Sequence, residues 1–153
     1  QSNSWHETGS YFFAQERFGF QGRLAAENGY LNQTDLDLID RLMAKLPDLI
    51  PEQPASLLHG DLWSGNLISD QQGNPAMIDP AVHYGWAEAD LAMTDLFGSF
   101  PAGFYAAYQE VRPLAPGYRS RYPIYNLYHL LNHLNIFGRG YLSRVRELLR
   151  QYS

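Results

Sequence analysis

Apolar positions recur at helical spacing over most of the chain and in extended runs only briefly. From Gly9 to about Asn28 the run SYFFAQERFGFQGRLAAEN predicts a helix. Phe12, Gln15 or Glu16, Gly19 and Leu24 lie along one side, and Gly19 and Gly22 weaken its middle. A second helix takes Thr34 as its N-cap, with Asp35 and Asp37 in the first turn. Its stripe is Leu36, Ile39, Met43 and Leu46, and it ends before Pro47. The proline-punctuated PDLIPEQP then leads to two short extended runs, NLIS (66–69) and AMID (76–79), around the turn residues DQQGNP. A helix from Glu88 to Phe97 carries Leu91 and Thr94 or Asp95 and stops at Gly98, and a short helix follows Pro101. The longest helix runs from about Arg119 to Phe137, with an apolar face of Ile124, Leu127, Tyr128, Leu131 and Leu134, and Gly138 ends it. A basic helix covers Ser143 to Gln151. The expected fold is mainly α with a small β-hairpin, of the α+β class, in a single domain over 1–153.

Composition narrows the functional classes. Apolar residues make up 45% and aromatics 14% of 153 residues, enough for a real core and too many for a disordered chain. A net charge of −5 and a pI near 5.4 argue against nucleic acid and anionic membranes, both of which need a basic surface. The absence of cysteine removes disulfides, cysteine metal sites and thiol catalysis, and is compatible with a reducing cytoplasm. No apolar run approaches the ~20 residues of a membrane span, and Gln1 to Gly9 is polar, unlike a secretory leader. The chain does not begin with methionine, which points to a piece of a longer polypeptide.

The chemistry gathers around the hairpin. LLHGDLWSGN (57–66) places His59, Asp61 and Asn66 in one short span. If Ser69 pairs with Ala76, then Ile68 faces Met77, Leu67 faces Ile78 and Asn66 faces Asp79, at a Cα separation of about 4.5–5.5 Å. Pro80 is expected to hold Asp79 extended. An amide oxygen and a carboxylate, completed by water and phosphate oxygens, suit Mg²⁺. Asp61 is then placed to accept the proton of an attacking hydroxyl, and phosphoryl transfer asks little more of a protein. The D-x-x-x-x-N spacing followed by a strand-end aspartate is that of a kinase catalytic loop. A loop that merely turns the backbone is the competing reading of the same residues.

The segments HGDLWSGN, IDPAVHYGWAEADLAMTDLFGSF and YPIYNLYHLLNHLNIFG resemble the fructosamine kinase family. That family belongs to the aminoglycoside-phosphotransferase and choline-kinase branch of the protein-kinase-like fold. The resemblance runs from about Trp5 to near the C-terminus. It implies Asp61 as catalytic base, Asn66 and Asp79 as Mg²⁺ ligands, and ATP as co-substrate. It further implies phosphorylation of a sugar hydroxyl of fructosamines or ketosamines, typically at the 3-position. The product sheds its sugar, so the reaction deglycates amines and proteins. Relatives also carry an N-terminal lobe with a glycine-rich phosphate loop and an anchoring lysine. Here no such loop occurs, and the single lysine, Lys45, sits on a predicted amphipathic helix. The chain therefore reads as the C-terminal lobe alone, with little kinase activity in isolation and an exposed inter-lobe surface that invites self-association.

Other positions keep two readings. His59 either holds the loop through backbone hydrogen bonds or takes part directly. Asp90 either braces the loop backbone or sits at the positive end of its helix. Trp63 either stacks on a sugar or belongs to the core. His83 and Trp86 follow the metal aspartate and have no assigned role. His129 and His133 have the i, i+4 spacing of a metal pair but lack an intervening glutamate, so polar positions facing cleft or solvent are expected. RVRELLRQ reads as a solvated helix face. The alternatives to a ketosamine kinase are a lobe of an aminoglycoside, choline or homoserine kinase, or a non-catalytic binding module.

Overall fold

The computed structural model describes residues 2–153. In chain order the elements are α1 (Gly9–Phe12), a π-helical segment (Phe13–Gly19), α2 (Phe20–Glu27), α3 (Gln33–Leu49), β1 (Ser56–Leu58), a 3₁₀ turn (Ser64–Asn66), β2 (Leu67–Ser69), β3 (Pro75–Met77), β4 (His83–Gly85), α4 (Ala87–Leu96), α5 (Ala102–Val111), α6 (Tyr118–Phe137), a second 3₁₀ turn (Arg139–Tyr141) and α7 (Leu142–Tyr152). The fold is mainly helical with a small hairpin, as the periodicity predicts, and one further antiparallel ladder. It comprises two compact units: the chain up to Pro54 with Asn126–Ser153, and Ala55–Tyr125.

The first unit is built from helices. Its opening helix spans the predicted 9–28 region, but a widened π turn occupies Phe13–Gly19, which moves the buried side. Phe13 and Phe18 enter the core rather than Phe12 and Leu24, and Glu16 and Arg17 are buried with them. Gly22 lets α2 lie close to α3: a Cβ there would stand 2.7 Å from Cδ1 of Ile39. The N-cap of α3 is Asn32, not Thr34. Asn32 Oδ1 accepts from the amide of Asp35 and Asp35 Oδ2 accepts from the amide of Asn32, both at 3.0 Å. This reciprocal pair satisfies two orphan amides, where a single threonine hydroxyl satisfies one. The helix also continues past Pro47 to Leu49. A proline in the last turn forfeits one hydrogen bond, and fully buried Leu46 and Ile50 hold that turn in place. Arg146 of α7 is not solvated as the basic run suggests. Its Nε and Nη2 reach Asp35 Oδ1 and Oδ2 at 3.0 and 2.8 Å.

The second unit holds the ladders. β2 and β3 form the predicted hairpin, and a second ladder, invisible in the sequence pattern, pairs β1 with β4 through Ser56–Gly85, Leu57–Tyr84 and Leu58–His83. α4 carries a fully buried carboxylate, Glu88. Arg121 of α6 clamps it with Nε to Oε2 at 2.7 Å and Nη2 to Oε1 at 2.5 Å, and the Tyr125 hydroxyl donates to Oε2 at 3.1 Å. A buried ion tolerates such a position only when its lone pairs are met this completely.

Candidate active site

Between β1 and β2, residues 59–66 make a loop tied down from three sides. Asp90, on α4, accepts the amide of His59 at Oδ2 (2.7 Å) and that of Gly60 at Oδ1 (2.8 Å). Burial raises the pKa of this carboxyl above its ordinary value, against the pull of the two amides and His59. Gly60 has φ +81°, and a Cβ there would lie 2.1 Å from the carbonyl oxygen of Ala81. Only glycine fits both demands. Ala81 in turn donates its amide to the His59 carbonyl at 2.8 Å.

The His59 ring bridges the loop to the hairpin. Nδ1 accepts the Asp61 amide at 3.3 Å, which leaves the proton on Nε2 to meet the Ile78 carbonyl at 3.0 Å. Asn66 is buried and donates through Nδ2 to both the main-chain oxygen (2.9 Å) and Oδ2 (3.0 Å) of half-buried Asp61. Asp61 and Asn66 therefore meet directly, through Oδ2 rather than Oδ1 of Asp61. Trp63 occupies the turn between them. Its amide donates to Asp61 O at 3.2 Å and its carbonyl accepts from Asn66 at 3.0 Å. The indole is half-exposed, lies against Gly65 and meets Phe97 edge-on at 6.2 Å.

The hairpin register differs by one residue from the sequence expectation. Leu67 pairs with Met77, Ile68 with Ala76 and Ser69 with Pro75, so Asn66 stands opposite Ile78, whose amide it accepts at 3.0 Å. The turn decides this. Asp70 closes on Asn74 around a three-residue loop with Gly73 at φ +84°, and the Asp70 carboxylate collects the amides of Gln72 and Asn74 at 2.9 and 2.8 Å. Asp79 is consequently one step beyond the ladder. It is also not extended: with φ +53° it is the one non-glycine residue of positive φ among the described residues. Ile78 is held by Asn66 and His59 while Ala81 is held by His59, so the chain must reverse at Asp79 despite Pro80. Such a backbone costs of order 1–3 kcal/mol and concentrates at functional sites.

The donor set fits a small hard cation. With Nδ2 of Asn66 engaged by Asp61, its amide oxygen is the atom left for a ligand, and the Asp79 carboxylate is exposed. Among the described residues no group of three or more His, Cys, Asp or Glu is arranged to hold a metal. A cation here would draw the rest of its shell from water and substrate, as Mg²⁺ habitually does.

Of the remaining candidates, His83 adjoins the loop, its Nδ1 only 3.0 Å from where a Cβ at Gly60 would stand, and the others are packed into helices or core. Trp86 is core, edge-on to Tyr125 at 6.3 Å, and His83 is half-buried on β4 with Nδ1 directed to the Ala81 carbonyl at 3.2 Å. His129 is buried beside Tyr128, and His133 Nδ1 donates to the His129 carbonyl at 2.7 Å, which takes that nitrogen out of metal chemistry.

Residues 1–153 match the fructosamine kinase family from end to end. The chain belongs to this family. It is 44% identical over 151 residues to a probable ketoamine kinase of Synechocystis, covering 99% of this chain and 50% of the relative. It is 38% identical to a ketosamine-3-kinase of Mus musculus, covering 100% of this chain and 50% of that protein. A crystal structure described as a putative fructosamine-3-kinase from Thermobifida fusca superposes with a TM-score of 0.88 at 38% identity, over 97% of this chain and 52% of the other. The chain thus spans about half the length of the relatives it matches. No helix among the described residues is long and apolar enough to cross a membrane. What sequence reasoning missed in this family member is the β1–β4 ladder, the true hairpin register and the Phe97 contact. None carries a local signal, because each depends on which distant strand or ring arrives opposite.

Proposed function

We propose that this chain is the C-terminal, hydroxyl-activating lobe of an ATP-dependent kinase acting on the sugar of fructosamines or ketosamines, free or protein-linked. The observation that carries it is the Asn66 to Asp61 hydrogen bond in a loop whose backbone Asp90 holds at two consecutive amides. Asp61 orients the sugar hydroxyl through Oδ1 and takes its proton as the oxygen attacks. Asn66 restrains the same carboxylate and, with Asp79, presents oxygen to the metal. When bound, Mg²⁺ supplies neutralisation of charge on the β- and γ-phosphates. His59 and Asp90 hold the loop and touch no reacting atom. ATP is the co-substrate and the cytoplasm the compartment.

Lys45, the single lysine, is an exposed residue of helix α3 rather than a neighbour of a glycine-rich phosphate loop, and the 153 residues alone should turn over poorly. Exposed Leu57 and Tyr84 on one ladder and Ile68 and Met77 on the other favour self-association at high concentration, which sedimentation of the isolated lobe measures. The main test is an acceptor panel given with ATP to the full polypeptide containing this chain. Phosphorylation of a fructosamine or ribulosamine is expected, and preference for an aminoglycoside, choline or homoserine would overturn the substrate class.

A further inference from the structure

The geometry points to Phe97 as a specificity-determining residue: with Trp63 it forms an aromatic corner that receives the apolar face of the acceptor sugar. This rests on the function proposed above and assigns a residue that neither motif nor spacing singled out. Three observations carry it. First, the corner adjoins the base. Trp63 sits two residues after Asp61 in a turn closed by the Trp63 amide on the Asp61 carbonyl, so their Cα atoms are within roughly 7 Å. Second, the indole is held in place by construction. A Cβ at Gly65 would stand 2.3–2.7 Å from three atoms of the ring, so position 65 must be glycine for the indole to lie over the loop. Third, the two rings meet at an interplanar angle of 76°, yet Trp63 remains 36% and Phe97 39% exposed.

A pair serving only the core would bury these faces. Here the edge-to-face contact fixes the angle between the rings, and each residue stays partly exposed, Trp63 in the turn that follows Asp61. The same helix provides both parts of the arrangement. α4 carries Asp90, which holds His59 and Gly60, and Phe97 follows at its C-terminal end, where Gly98 at φ +112° turns the chain away. One rigid element therefore sets the loop and the wall together. Sugar rings present C–H groups on one face and hydroxyls at the rim. An aromatic corner takes the first and leaves the hydroxyls to Asp61. A phenylalanine ring offers phosphate oxygens neither charge nor a hydrogen-bond donor, so the ATP KM serves as the control.

The test measures KM for a fructosamine made from glucose and a small amine, KM for ATP, and kcat, in the full polypeptide and its Phe97→Ala and Phe97→Leu variants, with melting temperature recorded for each. Phe97→Ala should raise the fructosamine KM about five- to tenfold and leave the ATP KM within twofold, with Phe97→Leu in between. Unchanged fructosamine KM in Phe97→Ala, with the wild type active, overturns the inference alone. So does a parallel change in both KM values in Phe97→Leu accompanied by a lower melting temperature, since that marks a packing role. A wild type that phosphorylates other acceptors but no ketosamine overturns the functional reading and this inference with it.

Discussion

The two units use buried polar groups differently. In the helical unit they pair with one another or with strap-like local chain: Asp35 with Arg146, Gln21 with Asn132 and Asn135, and Glu16 with Ser2 and His6. In the Ala55–Tyr125 unit the carboxylate of Asp90 bonds to main-chain amides, and Asp61 is restrained by one amide side chain. Ion pairs between side chains lock helices and exhaust both partners. Asp90, bonded to two amides, shapes a loop, and Asp61 keeps Oδ1 outside its bond with Asn66. Glu88 with Arg121 is the instructive exception, a helix-type lock inside the loop-bearing unit that anchors α4 against the start of α6.

Substitutions test this contrast, and the largest effect is expected at Asp61, the proton acceptor proposed above. Asp61→Asn keeps the shape of the side chain but abolishes its basicity. Turnover of a ketosamine by the full polypeptide should fall about 10²–10⁴-fold with an unchanged urea midpoint. Residual turnover near the wild-type rate would remove Asp61 from the chemistry.

Next comes the buried lock. Glu88→Ala strands the Arg121 guanidinium and should cost about 3–5 kcal/mol by chemical denaturation, far more than an exposed pair such as Arg144–Glu147, worth ~0.5 kcal/mol. Equal losses at the two sites would refute the distinction drawn between them.

Gly60→Ala comes third. The new Cβ collides with the Ala81 carbonyl at a positive φ, so stability should drop by about 2 kcal/mol or more and turnover should fall with it. Gly73→Ala, also at positive φ but with nothing within 4 Å, should cost less and spare activity. The ratio of the two effects separates strain from collision.

The smallest effects are titrations of opposite sign. Burial pushes the Glu16 carboxyl up, but hydrogen bonds from Ser2, His6 and the Ser4 amide and the charge of His6 outweigh it and bring its pKa down from 4.5 to about 2. A lowered folded pKa adds stability above the unfolded value, and this is lost as pH falls from 4.5 towards 2. Glu16→Gln should flatten that acid limb of the urea midpoint. Asp90 is raised above 3.8, chiefly by burial, so its contribution is present at low pH and declines as pH rises through the folded value. The stability difference between wild type and Asp90→Asn should accordingly move against the wild type on raising the pH above 3.8. Slopes of the same sign for both variants would contradict the assignment.

Much of the fold was legible because helical stripes are local. Ile124, Leu127, Tyr128, Leu131 and Leu134 are all buried along α6, where their spacing put them. The candidate site was legible as a set of residue types in one loop and one strand end. Its geometry was not: a three-residue loop closed by Asp70 and Asn74 moved the register by one, and two tethers to His59 reversed the chain at Asp79 where proline argued for extension. Asp90 could be suspected of bracing the loop, but no spacing rule joins residues 59 and 90, or 63 and 97.

By itself the sequence determined the helical class, the family and the identity of the groups available for chemistry, because periodicity and side-chain type are properties of short stretches. Only the tertiary structure decided that Asn66 engages Oδ2 of Asp61, where the backbone must be strained, and which aromatic ring meets Trp63. The last two depend on contacts between segments about twelve to thirty-five residues apart, and such contacts are chosen by the sum of packing and hydrogen bonding rather than by any local preference.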